Sequence, residues 1–109
     1  FAPTALTATA TLTIAQQLGN LINVTSATAV TLTLPTGTLT DAGFQGGVAP
    51  VGASFEFTVI NLGSAAGAVT MAGGVGNPYI GATGVPIGTS ARFRVTKLAT
   101  NSYQTQRLS

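Results

Sequence analysis

Between Ser54 and Leu62 the chain reads Ser-Phe-Glu-Phe-Thr-Val-Ile-Asn-Leu, and this alternation constrains the fold more than any other stretch. Successive side chains of an extended strand point to opposite faces, so Phe55, Phe57 and Val59 share one face and Ser54, Glu56 and Thr58 the other. The pattern returns from Ala91 to Leu98, where Phe93 and Val95 alternate with Arg92, Arg94 and Thr96. Two amphipathic strands with aromatic inner faces require one common core, made of Phe55, Phe57, Val59, Phe93 and Val95. Their outer faces carry opposite charge, which predicts that Glu56 meets Arg92 or Arg94 across an antiparallel pair.

Around these strands the rest of the chain reads as short extended segments. Phe1 to Thr11 is an extended N-terminal arm with a Thr/Ala alternation and no strong apolar face. It serves either as an edge strand of its own domain or as a strand offered to a neighbouring subunit. Thr13 to Gly19 carries the one helical signal. Thr13 and Gln16 stand at capping-box spacing, Ile14, Ala15 and Leu18 supply an apolar side, and Gly19 suits a left-handed end. Leu21 to Ser26 and Ala29 to Leu34 read as strands about a Ser26-Ala27-Thr28 turn, with Pro35 closing the second. Thr36 to Gly52 reads as a loop, in which Leu39 and Phe44 either anchor to the core or face a partner. Gly63 to Gly67 makes a turn, Ala68 to Met71 a return strand, and the glycine-rich run from Ala72 to Gly84 tight turns around a strand at Tyr79-Ile80. That run lacks the Gly-Lys-Ser/Thr ending of a phosphate loop. Asn101-Ser102 turns the chain into a last strand, Tyr103 to Leu108.

About seven to eight short strands separated by turns indicate an all-β fold, an antiparallel sandwich or jelly-roll-like barrel with one short helix near residues 13–19. The 109 residues divide into the arm, 1–11, and a single β-sandwich domain, 12–109.

The inventory of reactive side chains excludes much chemistry. The chain has no Cys, no His and only two carboxylates, Asp41 and Glu56. This leaves no disulfide, no metal-ligand cluster, no His-based triad and no glycosidase pair, and so no catalytic, cofactor-binding or metal site is expected. Four cations, Arg92, Arg94, Lys97 and Arg107, are too few for a nucleic-acid surface despite a net charge of +2. No apolar run approaches the roughly 20 residues that span a bilayer, and the first residues lack the basic and apolar regions of a signal peptide. Numbering from Phe1 without methionine is consistent with removal of an initiator residue or a longer leader. Asn23-Val24-Thr25 matches the N-glycosylation pattern, a short and common match in what reads as an ordinary strand. Charged residues make up 6% of the chain against about 25% in an average soluble domain, so threonine and serine must keep the surface wet, and self-association is expected.

Four segments carry a resemblance: Leu12-Thr13-Ile14-Ala15-Gln16-Gln17-Leu18-Gly19, Thr31-Leu32-Thr33-Leu34-Pro35-Thr36, Gly52 to Asn61, and Gly88-Thr89-Ser90-Ala91-Arg92-Phe93-Arg94-Val95. In their order the chain resembles small β-rich virion proteins of tailed bacteriophages, the head decoration or cement class. The resemblance implies a compact β fold that binds the major capsid protein from outside, often as a homotrimer, and reinforces capsid contacts without nucleic acid, membrane or small-molecule substrate. Candidate assembly contacts are Phe1, Ala2, Pro3, Leu6, Leu39 and Phe44. The alternative is a subunit of an extracellular filament or tube assembled by strand exchange through the arm. A carbohydrate-binding β-sandwich module is weaker, because the chain has no Trp and only Tyr79 and Tyr103 as sugar platforms.

Overall fold

A computed structural model describes residues 4–19, 21–44, 46, 48–64 and 67–108. Ten strands and two helices follow one another as β1 (Thr4–Leu6), β2 (Ala10–Thr11), α1 (Ile14–Leu18), β3 (Leu21–Val24), β4 (Val30–Thr33), α2 (Gly37–Gly43), β5 (Ser54–Asn61), β6 (Val69–Ala72), β7 (Tyr79–Ile80), β8 (Gly84–Val85), β9 (Ser90–Ala99) and β10 (Ser102–Arg107). The strands form a six-stranded sheet in the order β1-β3-β5-β9-β10-β7 and a four-stranded sheet in the order β2-β4-β6-β8.

The expected antiparallel arrangement is corrected: both sheets are mixed. Strands β1, β3 and β5 run parallel, as do β2, β4 and β6, while β9 is antiparallel to β5 and β10, and β8 to β6. From β1 to β6 the chain alternates between the sheets, so each strand lies beside the one two steps earlier. Ala68 to Met71 therefore does not return along β5; β6 crosses to the other sheet and pairs with β4. Inward and outward side chains alternate identically in parallel and antiparallel strands, which is why the sequence pattern could not separate them. Among the described residues the strands number ten where seven or eight were expected, because the arm splits into β1 and β2 and the two-residue β8 forms inside the glycine-rich run, while β7 falls at the expected Tyr79-Ile80.

Parallel register stacks like on like. Leu6 lies beside Val24, Ile22 beside Val59, Ala10 and Met71 on either side of Leu32, and Val69 between Val30 and Val85. These columns face inward, and together with Phe57, Phe93 and Val95 they fill one core drawn from both sheets. The predicted core is borne out, with Phe55 half-buried at its margin. Phe57 and Phe93 are direct cross-strand partners whose ring centroids lie 5.0 Å apart. Turn regions are tied by two buried asparagines. The Asn61 Nδ2 donates to the carbonyls of Gly67 at 2.9 Å and Val85 at 2.8 Å, while its Oδ1 accepts from the Gly63 N–H at 2.9 Å. Asn77 bridges the Pro35 carbonyl and the Thr105 hydroxyl. Of the turn expected at Gly63 to Gly67, Ala65 and Ala66 lie outside the described residues.

Helix α1 forms where its caps predict. The Thr13 Oγ1 accepts from the Gln16 N–H at 3.2 Å, and the Gln16 Oε1 accepts from the Thr13 N–H at 2.9 Å. Two details differ. Gly19 is right-handed at φ −70°, and the face turned inward carries Gln17, fully buried, while Leu18 is exposed. The segment Thr36 to Gly52, expected as loop, contains α2, capped by the Thr36 hydroxyl accepting from the Leu39 N–H.

Because Phe57 and Phe93 are paired and fully buried, Phe57→Ala or Phe93→Ala should each lower stability by about 3–5 kcal/mol in denaturant melts. A loss below about 1 kcal/mol would mean that the site collapses around the missing ring.

Candidate functional site

Both helices lie where the chain passes from the four-stranded to the six-stranded sheet: β2 to α1 to β3, and β4 to α2 to β5. Parallel winding therefore brings them to the same end of the molecule, where Gly43 of α2 closes on Ile14 of α1. A Cβ at Gly43 would come within 2.3 Å of the Ile14 side chain. At the other end of α2, a Cβ at Gly37 would come within 2.1 Å of the Asn101 carbonyl, so glycine lets this helix seat on the β9–β10 turn. That turn is sharp, with Asn101 at φ 58°, a value asparagine tolerates better than most side chains.

A buried polar lock holds α2 down. Lys97 occupies the next inward position of β9 after Phe93 and Val95, and its Nζ lies 2.7 Å from the Asp41 Oδ1 and donates to the Ala49 carbonyl at 2.8 Å. Tyr103 of β10 donates its hydroxyl to the same Asp41 oxygen at 2.8 Å, and the Asn101 N–H reaches the Asp41 Oδ2 at 3.3 Å. The Lys97 ammonium above all, then the Tyr103 hydroxyl, keep the Asp41 carboxyl below the usual carboxylate range against the opposing effect of burial. Burial, followed by the hydrogen bond to Asp41, pushes the Tyr103 phenol up, so it stays protonated as a donor. These groups are turned toward one another, which makes the cluster a clamp. Sequence reasoning missed it, although one signal was present: the inward alternation Phe93, Val95, Lys97 puts a cation on the core face, where it needs a buried partner.

The clamp turns its ion pair inward, and large apolar side chains on the segments around it reach the surface. Leu39 is 59% exposed, Val48 80%, Val51 69% and Val75 84%. All four sit close to the clamp or to α2. The Val75 carbonyl accepts from the Gly37 N–H at 2.8 Å, Val48 precedes Ala49, and Val51 precedes Gly52, whose N–H bonds the Lys97 carbonyl at 2.8 Å. An open apolar groove of about 540 Å³ lies between the helices, walled by Leu12, Ile14, Pro35, Leu39, Ala42 and Gly43.

The remaining charged side chains are carried by β5, β9 and β10. Glu56 pairs directly with Arg94 across β5 and β9 at 2.8 Å, with Arg92 at 3.7 Å, as the alternation predicts. The Arg94 guanidinium beside Glu56 holds its carboxyl below the usual range. Arg107, on β10, donates to the carbonyls of Ala82 and Gly84.

Of the candidate contacts, Leu39 is exposed on the groove wall. Of the two roles expected for Phe44 it takes the anchor and not the partner contact: it is buried, with its ring 4.8 Å from Phe55 and 6.4 Å from Tyr103. Leu6 is half-buried against the core, because the described part of the arm forms β1 and β2 as edge strands. Phe1, Ala2 and Pro3 lie outside the described residues. Neither tyrosine offers a free ring: Tyr103 is buried, and Tyr79 is half-buried against Phe93 with its hydroxyl bonded to the Ala82 carbonyl. Asn23 lies within β3, half-buried, with a buried side-chain oxygen. Among the described residues no group of three or more His, Cys, Asp or Glu is placed to hold a metal, and no helix is long and apolar enough to cross a membrane.

No family model, no curated protein and no solved structure matches this chain. The functional reading therefore rests on the geometry of its surfaces.

The Asp41 clamp has a pH signature. Its folded pKa lies below the unfolded value, so its contribution is present above about pH 4, the ordinary Asp range, and is lost as pH falls through the folded pKa. Melting temperature should therefore drop on acidification below about pH 4. Asp41→Asn should melt lower at neutral pH and show a shallower acid limb; an acid limb identical to that of the parent protein would remove Asp41 from this role.

Proposed function

We propose that the protein is a structural virion subunit that decorates and cements the outer surface of a phage capsid through non-covalent contacts, with the helix-bearing end as its docking face. In this reading it is a sandwich of two sheets rather than a jelly roll, it performs no chemistry, and its partners are the major capsid protein and copies of itself in a homotrimer. The observation that carries the reading is an open apolar groove with Leu39 exposed on its wall and no charged residue in its lining, with Val48, Val51 and Val75 exposed on the segments beside α2 and the clamp. Contiguous apolar surface rimmed by polar residues is what a protein contact site needs. Burying it yields about 25 cal/mol per Å² of apolar area before the cost of docking, and repetition over a lattice makes a modest contact sufficient.

A second reading, an extracellular filament subunit assembled by strand exchange through the arm, is favoured by the place of β1 and β2 as edge strands among the described residues. Negative-stain microscopy of the purified protein distinguishes the two, since a filament subunit should form long fibres without a capsid. The carbohydrate-binding reading draws no support from the tyrosines, neither of which is open to a sugar ring.

Leu39→Asp and Val48→Asp change exposed side chains, so each should alter stability by no more than about 0.5 kcal/mol. Capsids assembled with either variant should bind fewer copies and rupture at lower temperature than those carrying the parent protein. Equal decoration and equal rupture temperature would exclude this end as the docking face.

A further inference from the structure

Helix α2 buries no large apolar side chain of its own. Its inward residues are Gly37, Thr40 and Asp41, while Leu39, Ala42 and Gly43 stand outside and wall the groove. Apolar burial begins only beyond its two ends, at Leu34 and at Phe44. Its sequence does not hold it either: seven residues with a glycine at each end make a helix that is marginal alone, even with the Thr36 cap. Thr40 turns its hydroxyl back to the Thr36 carbonyl, inside the helix. The seating therefore falls to one carboxylate, beside the backbone bond from the Gly37 N–H to the Val75 carbonyl. The Asp41 Oδ1 takes the Lys97 ammonium of β9 and the Tyr103 hydroxyl of β10, and the Oδ2 takes the Asn101 N–H between these strands.

Acid has few other targets. Asp41 and Glu56 are the two side chains that titrate between neutral and strongly acid pH, and Glu56 is exposed, where its pairs with Arg92 and Arg94 contribute little. Among the described residues, the charged or titratable groups that face Asp41 are Lys97 and Tyr103. Helix α1, packed on α2, carries none, and on the strands beneath, Arg94 is turned to Glu56 and Arg107 to the Ala82 and Gly84 carbonyls. Protonation of Asp41 leaves the Lys97 ammonium buried, with the Ala49 carbonyl as its remaining partner. A buried cation without its counter-charge is strongly destabilising. Lifting α2 lets water reach that cation without opening the Phe57–Phe93 core. We infer that α2 is a flap between the Leu34 and Phe44 anchors, seated by the ionised Asp41 and released by acid ahead of the sheets, and that its release dismantles the groove wall. The flap is a property of the chain alone; as control over docking it rests on the capsid reading above.

Seated, the Asp41 carboxyl titrates below its ordinary value; released, it returns to about 4, so the flap is shut at neutral pH and weakens as pH falls between the two. The Thr40 and Phe44 N–H groups bond the Thr36 and Thr40 carbonyls, and their hydrogen exchange reports the seating. Release takes up one proton, so their protection, corrected for the intrinsic exchange rate, should fall about tenfold per pH unit below about pH 4 while amides of β5 and β9 remain protected. Asp41→Asn should abolish protection at Thr40 and Phe44 at neutral pH and keep it in β5 and β9. Asp41→Asn with Lys97→Met removes the unpaired cation, keeps an acceptor for the Tyr103 hydroxyl, and should restore α2 protection with no acid slope. Protection of α2 that survives in Asp41→Asn, or that is lost only together with β5 and β9, would overturn the inference. So would an acid slope that persists in the double variant; should that variant fail to fold, the parent slope and Asp41→Asn decide the matter. At neutral pH, capsids should take up fewer copies of Asp41→Asn than of the double variant. Equal decoration while α2 of Asp41→Asn is unprotected would overturn the control of docking, and the groove as docking face with it, and would leave the flap standing on the exchange data.

Discussion

The whole arrangement depends on in-register stacking of one lap of chain on the next. Parallel strands place Leu32 between Ala10 and Met71, and Val24 beside Leu6, so an inward residue in one lap determines what the next can hold at the same height. A register slip of one residue would turn every inward side chain outward. Such stacking also imposes order on folding. Its contacts join residues far apart in the chain, as Ile22 and Val59 are, so loop closure must precede the burial that compensates it.

Polar groups appear where the windings must be locked together. Asn61 and Asn77 satisfy backbone groups of turns that would otherwise be buried without partners, and an amide does this with both a donor and an acceptor. The Asp41–Lys97–Tyr103 clamp works on a larger scale, fastening a helix and the segment after it to the β9–β10 hairpin. Charge appears in the interior only as this internally neutralised set, which leaves the surface above it free to be apolar.

What could be read from the residues, and what could not, follows the same physics. The Phe55–Val59 and Phe93–Val95 alternations were legible because they report burial directly, and Thr13 with Gln16 because a capping box is local. Strand direction was hidden, since Thr31-Leu32-Thr33 looks the same in either sense; the likeness of Ala10-Thr11 to Leu32-Thr33 was the available clue to stacking. Helix α2 was hidden because Asp41, Gly43, Gly46, Gly47 and Pro50 break any sustained period in this stretch, whereas Gly37 and Gly43, poor helix formers, serve close approach to Asn101 and Ile14. At the candidate site, Leu39 was identified and the exposed valines were not, because exposure at 48, 51 and 75 depends on how the segments around α2 fold back. Phe44 was an ambiguous aromatic that the core claimed.

The outward columns of the four-stranded sheet have a consequence of their own. Thr11, Thr33 and Ala72 form one row and Thr31, Thr70 and Gly84 the next, a face of hydroxyls and methyls met at its Gly84 margin by the Arg107 guanidinium. Water is retained there by neutral hydrogen bonds, which neither titrate nor attract counterions. Away from the Arg107 margin the hydration of these threonine rows accordingly depends little on ionic strength or pH, and the exposed ion pairs of the molecule lie on the β5–β9 pair, where Glu56 meets Arg92 and Arg94.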